Sequence, residues 1–276
     1  MAQEAAGRLV RMMPGIRNPV GNFRTSSGPG FTDPYLSAVR RQVRNETTEV
    51  GVVMRKGPKP KKKLREPISG LTHLGGALLA SGGLIVLLDT AASVGRTDQL
   101  VAFGVFGLGM IALYTASTLY HLLPLSPGGV ARLRQVDHIT IFVLIASTYT
   151  PFCLLALDGG WRVGLLALIW GLALCGVLLK VLWMDAPRWL SVMLYLGMGW
   201  VAAIAAPVIF RAVAAGGIAW VLGGGLVYST GALVYGLKRP NPVPGVFGFH
   251  ELWHLFVMAG SACHFWAVLH YLVPLA

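Results

Sequence analysis

Seven apolar stretches of helical length follow one another through most of this chain. They lie near 70–90, 100–122, 138–157, 163–183, 189–210, 216–237 and 249–273. Crossing the hydrocarbon of a bilayer as a helix takes about 20 residues. Every stretch exceeds strand length and none alternates with period two, so helices are expected rather than a barrel. Composition agrees: 55% of the 276 residues are hydrophobic and 12% are charged, whereas soluble domains carry about 25% charge. That excludes an ordinary soluble globule, a disordered chain and a coiled coil. The 35 glycines follow no G-X-Y period, which excludes collagen. Cys153, Cys175 and Cys263 all sit in apolar runs and form neither a disulfide framework nor a CxxC zinc pattern. The expected fold is an all-α membrane protein, a seven-transmembrane helix bundle over residues 67–276.

Residues 1–66 form a separate region. They hold 14 of the 23 basic residues and 5 of the 11 acidic ones. Gly, Pro, Ser and Arg dominate, apolar periodicity is weak, and the segment reads as a mostly disordered basic tail. Its end runs Arg55-Lys56-Gly57-Pro58-Lys59-Pro60-Lys61-Lys62-Lys63-Leu64-Arg65. Such a run attracts nucleic acid or anionic lipid. Directly before a span, the plainer reading is a topology anchor touching anionic headgroups, with no nucleic-acid partner. A transit peptide is a lesser alternative, because no strong amphipathic helix is visible.

The loops set the orientation. The tail, Arg132 with Arg134, Lys180 with Arg188, and Lys238 with Arg239 fall on one side. Single arginines, Arg96, Arg162 and Arg211, fall on the other. The positive-inside rule then puts the N-terminus in the cytoplasm and the C-terminus outside, in the cell (inner) membrane. Paired glycines recur within the spans: Gly75-Gly76, Gly82-Gly83, Gly104 with Gly107, and Gly223-Gly224-Gly225. No strand precedes them, so they are packing positions rather than phosphate loops.

Ionisable residues inside spans are costly and usually functional. His121 ends the second span, Asp137 opens the third, and His250 and His254 begin the seventh. Given the alternating topology, all four fall at one depth, near the cytoplasmic face. The spacing i, i+4 puts His250 and His254 on one helix face, and likewise Ser117 and His121. Three imidazoles meeting in a bundle make a tris-His metal site with a position left for water, the arrangement of catalytic zinc. Asp137 is expected to hold that water or orient a ligand, and Ser117 to hydrogen-bond nearby. Blander readings exist for each residue alone: an interfacial anchor for His121, a helix cap for Asp137, a back-bond to the preceding turn for Ser117. The common depth favours the joint reading. His73, His138, His264 and His270 receive no role; His264 is ten residues, about 15 Å, beyond His254 and either lines a cavity or bonds within the bundle.

Several motifs resemble the bacterial hemolysin III family. They are Glu66 followed by Thr72-His73, Ser117-x-x-x-His121, Asp137-His138 running to Thr148-Tyr149-Thr150-Pro151, Pro244-Gly245-Val246-Phe247 leading into His250-x-x-x-His254, and Ala259 to Phe265. The family is related to the progestin and adipoQ receptors and, more distantly, to alkaline ceramidases. The resemblance covers about residues 65–273. It implies seven helices with the N-terminus inside and zinc held by His121, His250 and His254, with Asp137 on the metal-bound water and Ser117 nearby. It also implies metal-dependent hydrolysis of lipid amides, with ceramide-like membrane lipids as substrates in the related branches. Hemolysin III is itself named for a pore-forming, cytolytic activity.

Three functions therefore compete. The first is a zinc-dependent lipid amide hydrolase. The second is a non-enzymatic pore or sensor with a structural metal, although several spans are too apolar to line a wide aqueous pore. The third is an intramembrane metalloprotease, because His250-Glu251-Leu252-Trp253-His254 spells HExxH. No acidic residue follows Glu251 to complete a protease ligand set.

Overall fold

The computed structural model describes residues 64–275, preceded only by Ala38 and Arg41, both helical. The tail expected to lack order lies outside the described residues apart from Ala38, Arg41, Leu64, Arg65 and Glu66. Among the described residues there is no strand, and seven helical segments are long and apolar enough to cross a membrane. They are α1 (Pro67–Ser93), α2 (Thr97–Leu122), α3 (Pro127–Ala156), α4 (Gly159–Leu182), a broken span made of α5 (Arg188–Trp200) and α6 (Ala206–Ala212), α7 (Ala215–Leu237) and α8 (Phe249–Ala267). The all-α, seven-span expectation holds.

Local chemistry sets the helix ends. Pro67 opens α1 and Pro127 opens α3, where a missing N–H costs no helical bond. Ser126 caps α3 by accepting from the Gly129 N–H. Helix α3 begins eleven residues before the apolar stretch expected near 138. Its first turns carry Arg132, Arg134 and Gln135, so hydropathy does not register them. Asp137 is consequently ten residues into the helix, and the cap reading for it is excluded. At α8, the Glu251 carboxylate reaches back to the Gly248 N–H at 2.8 Å, half of a capping box.

The fifth span breaks at mid-length. Val201–Ala205 winds as a 3-10 turn, and Pro207 follows in the first turn of α6. Backbone groups freed inside a membrane need partners. The Tyr149 hydroxyl of α3 supplies them: it lies 2.8 and 2.6 Å from the carbonyls of Met198 and Gly199, and accepts from the Ala202 N–H at 2.9 Å.

Helices α1, α2, α3 and α4 pack in chain order, α7 packs on α8, and α8 returns against α1 to close the bundle. The main core gathers Leu87, Phe103, Phe106, Tyr114, Val257 and Leu272. Leu78, Leu79, Ile85 and Val163 stay exposed, as a lipid-facing surface requires. One glycine of each pair is a packing position. A Cβ on Gly76, Gly83, Gly107 or Gly224 would press on Tyr114, Phe265, Leu84 or His264 respectively. Gly75, Gly82, Gly104 and Gly223 face open space.

Candidate metal centre

The chemistry collects at one end of the bundle. His121 is in the last turn of α2 and is buried; His254 is in the second turn of α8 and is buried; His250 lies one turn earlier and is partly covered. Their ring centroids form a nearly equilateral triangle with sides of 5.0, 4.8 and 4.7 Å. One ligand atom from each lies within 4.8 Å of the others.

The outer ring nitrogens are engaged, which turns the inner ones toward each other. His121 Nδ1 lies 2.5 Å from the Glu66 carboxylate, and His254 Nδ1 lies 3.1 Å from the Ser69 carbonyl. Both partners are acceptors, so both Nδ1 atoms carry the proton and both Nε2 atoms are bare. His121 Nε2 and His250 Nε2 are 3.4 Å apart. Two nitrogens bound to one tetrahedral zinc at 2.0–2.1 Å stand about 3.3–3.4 Å apart. Nitrogens converging at this spacing fit a divalent ion, and the carboxylate–imidazole pair is the support that such ligands take.

Glu66 was not given a role from sequence, yet it joins two helix ends. Its carboxylate meets His121, its N–H donates to the His121 carbonyl at 3.0 Å, and Arg65 donates to the Tyr120 carbonyl at 2.7 Å. The hydrogen bond with His121 holds the Glu66 carboxyl below its ordinary range. The signal was available: Glu66 directly precedes the first span, at the depth already assigned to His121. His73 is a second such residue. It stacks on His254 with centroids 3.8 Å apart, meets Tyr114 edge-on, and has no hydrogen-bond partner on either ring nitrogen.

Ser117 and Asp137 are buried and line the same cavity as His73, His250 and His254. Ser117 lies one helical turn before His121 on α2 and shares the cavity wall with Asp137. The cavity holds about 660 Å³ and extends between α3, α4, the broken span, α7 and α8 as far as Ile209 and Ile218. The remaining histidines stay apart from the triangle. His138 Nδ1 donates to the Arg134 carbonyl at 2.9 Å, and His270 stacks on Trp266. His264 both lines the cavity and donates to the Val221 carbonyl at 3.1 Å.

Glu251 does not face the cavity. One carboxylate oxygen caps α8, and the other accepts from the Ser69 hydroxyl at 2.8 Å. A general base needs reach to a substrate proton, and both oxygens are spoken for. The HExxH spelling here serves a cap and a bracket to α1.

The architecture and the convergent histidines define a multi-pass, seven-helix membrane protein with a tris-His cluster at one end. Comparison with known proteins places the class more closely. The profile of the haemolysin-III related family matches residues 61–265, and the chain belongs to that family. It is 38% identical to Hemolysin-3 of Bacillus cereus over 213 residues, 76% of this chain and 93% of that protein. It is 37% identical to the Hemolysin-3 homolog of Bacillus subtilis over 208 residues, 75% of this chain and 94% of that one. Human monocyte to macrophage differentiation factor is 27% identical over 175 residues, 61% of this chain and 69% of its own length.

Proposed function

We propose that this haemolysin-III related protein is an inner-membrane, metal-dependent hydrolase of lipid amides, with zinc held by His121, His250 and His254. The observation that carries the reading is the triangle of imidazoles, two of them with Nδ1 held by an acceptor, beside a long apolar cavity. Zinc bound there supplies Lewis-acid polarisation of a carbonyl and a water acidic enough to react near neutral pH. The chain does the rest. Glu66 and Ser69 fix the tautomer and tilt of His121 and His254. Asp137, which shares the cavity wall with Ser117, accepts a proton from the attacking water and returns it to the leaving amine. The cavity receives the acyl chain and keeps bulk water away from the amide.

The basic residues at the cluster's end support an N-terminus in the cytoplasm. Arg132, Arg134, Lys180, Arg188, Lys238 and Arg239 all belong to that end of the bundle. The tail before them then meets anionic headgroups.

The deciding experiment is elemental analysis of the detergent-purified protein beside a His250→Ala/His254→Ala variant. About one zinc per wild-type chain, absent from the folded variant, is expected. A folded, metal-free wild type overturns the hydrolase. The names of the two bacterial relatives favour one second reading, cytolysis, and lysis that survives the double histidine substitution is its mark.

A further inference from the structure

The geometry points to a substrate of a particular class: an amphiphile with an anionic headgroup, which Lys180 receives inside the cavity. This rests on the cavity's being the substrate site. The observation is a buried cation that forms no ion pair among the described residues. Lys180 belongs to the last turn of α4, is 2% exposed and lines the cavity. Its ammonium donates to the Ser191 hydroxyl at 2.7 Å. Among the described residues, no carboxylate oxygen lies within 4.0 Å of it; the neighbouring Asp185 is paired with Arg134 at 3.2 Å.

A lysine near a helix end in a membrane ordinarily extends its ammonium to the headgroup layer. Lys180 is instead covered. Burying an ammonium against one neutral hydroxyl is costly unless an anion arrives to pair with it. Arg188 adds to the same wall. It also lines the cavity, lies 4.6 Å above the Tyr235 ring and donates to the Tyr235 carbonyl at 3.3 Å, again without a carboxylate. Together they leave two cations for one anionic group, a phosphate or a carboxylate.

The shape of the cavity supplies the rest of the ligand. Beyond the cations its walls are Leu144, Leu196, Trp200, Ile209 and Val221. A small inorganic anion would occupy only the charged end. An acyl chain attached to that anion fills both, in the cavity that His250 and His254 also line.

The test uses two lipid amides of one chain length, N-oleoylglycine (anionic) and N-oleoylethanolamine (neutral). Binding to the full chain in a nonionic detergent is measured by calorimetry. N-oleoylglycine is expected to bind at least about tenfold more tightly, the scale of a charge-assisted hydrogen bond. Lys180→Met is expected to erase the preference without lowering the melting temperature, and Lys180→Arg to keep it. Equal affinities, or a preference that Lys180→Met leaves intact, overturn the inference. Inorganic phosphate is the control for a free anion; displacement of N-oleoylglycine by equimolar phosphate overturns the amphiphile. Turnover of both amides is followed in the same samples. A headgroup preference without turnover breaks the hydrolase reading alone, and turnover without preference breaks this inference alone.

Discussion

In the second and third spans, 56% and 67% of the apolar window is buried inside the protein; in the fourth, fifth and sixth only 28%, 28% and 22% is. The two regions carry different parts of the site. His121 and Asp137 stand on the well-buried pair, α2 and α3, where neighbours lock each side chain. A metal ligand tolerates little displacement, so rigid elements suit it. Helix α3 closes one side of the cavity, and much of the rest of its wall comes from the broken span and α7. These face lipid on one side and the cavity on the other, and α5 packs only sparsely on α4. A wall with few fixed contacts adapts to chains of different length and needs no precise fit. The precise side is thus the buried pair α2 and α3, joined by the histidines of α8, a span only 33% buried in which His254 is held by Ser69 and His73.

The largest way to break this comparison is to disable the precise side. Asp137→Asn keeps shape and removes the proton acceptor. Turnover of a lipid amide should fall by about 10²- to 10⁴-fold, with metal content unchanged. Loss of metal in that variant would move Asp137 among the ligands. A smaller effect is expected from Glu66→Ala, which leaves His121 without its carboxylate. Removing such an outer partner lowers metal affinity by about 10- to 100-fold. Competition with a chelator measures it, and an unchanged affinity would make Glu66 a purely structural clasp between α1 and α2.

Much of this division was readable from the residues, and its gaps have physical reasons. The number of spans follows from bilayer thickness, which fixes how long an apolar run must be. His121, His250 and His254 were found because alternating topology puts distant residues at one depth. Glu66 is harder to read because it stands one residue outside the span, where a charge carries no burial cost and so no functional signal. The start of α3 escaped because Ser126 and Pro127 signal it by capping, while Arg132 and Arg134 defeat a hydropathy window. The break after Trp200 escaped because Val201–Ala205 is as apolar as its flanks; only Pro207 hints at it. His73 stacks on a residue 181 positions away in sequence, and no local pattern announces such a contact.

The smallest effects sharpen the comparison most directly, because one substitution can be placed in each region. Gly109 lies on α2 against α3, and a Cβ there would stand 2.6 Å from the Ser147 Cβ and still closer to its hydroxyl. Ser147 is fully buried and its hydroxyl donates to the Leu144 carbonyl at 2.9 Å, so it has nowhere to yield. Gly109→Ala is expected to cost about 1–3 kcal/mol through overpacking, read as a lower melting temperature in detergent. Gly223 lies on α7, and a Cβ there meets nothing within 4 Å. With no contact to disturb, only helix propensity remains, and Gly223→Ala should be neutral or stabilise by up to about 1 kcal/mol. Equal losses at both positions would mean that α7 packs as closely as α2, and the adaptable wall would have to be given up.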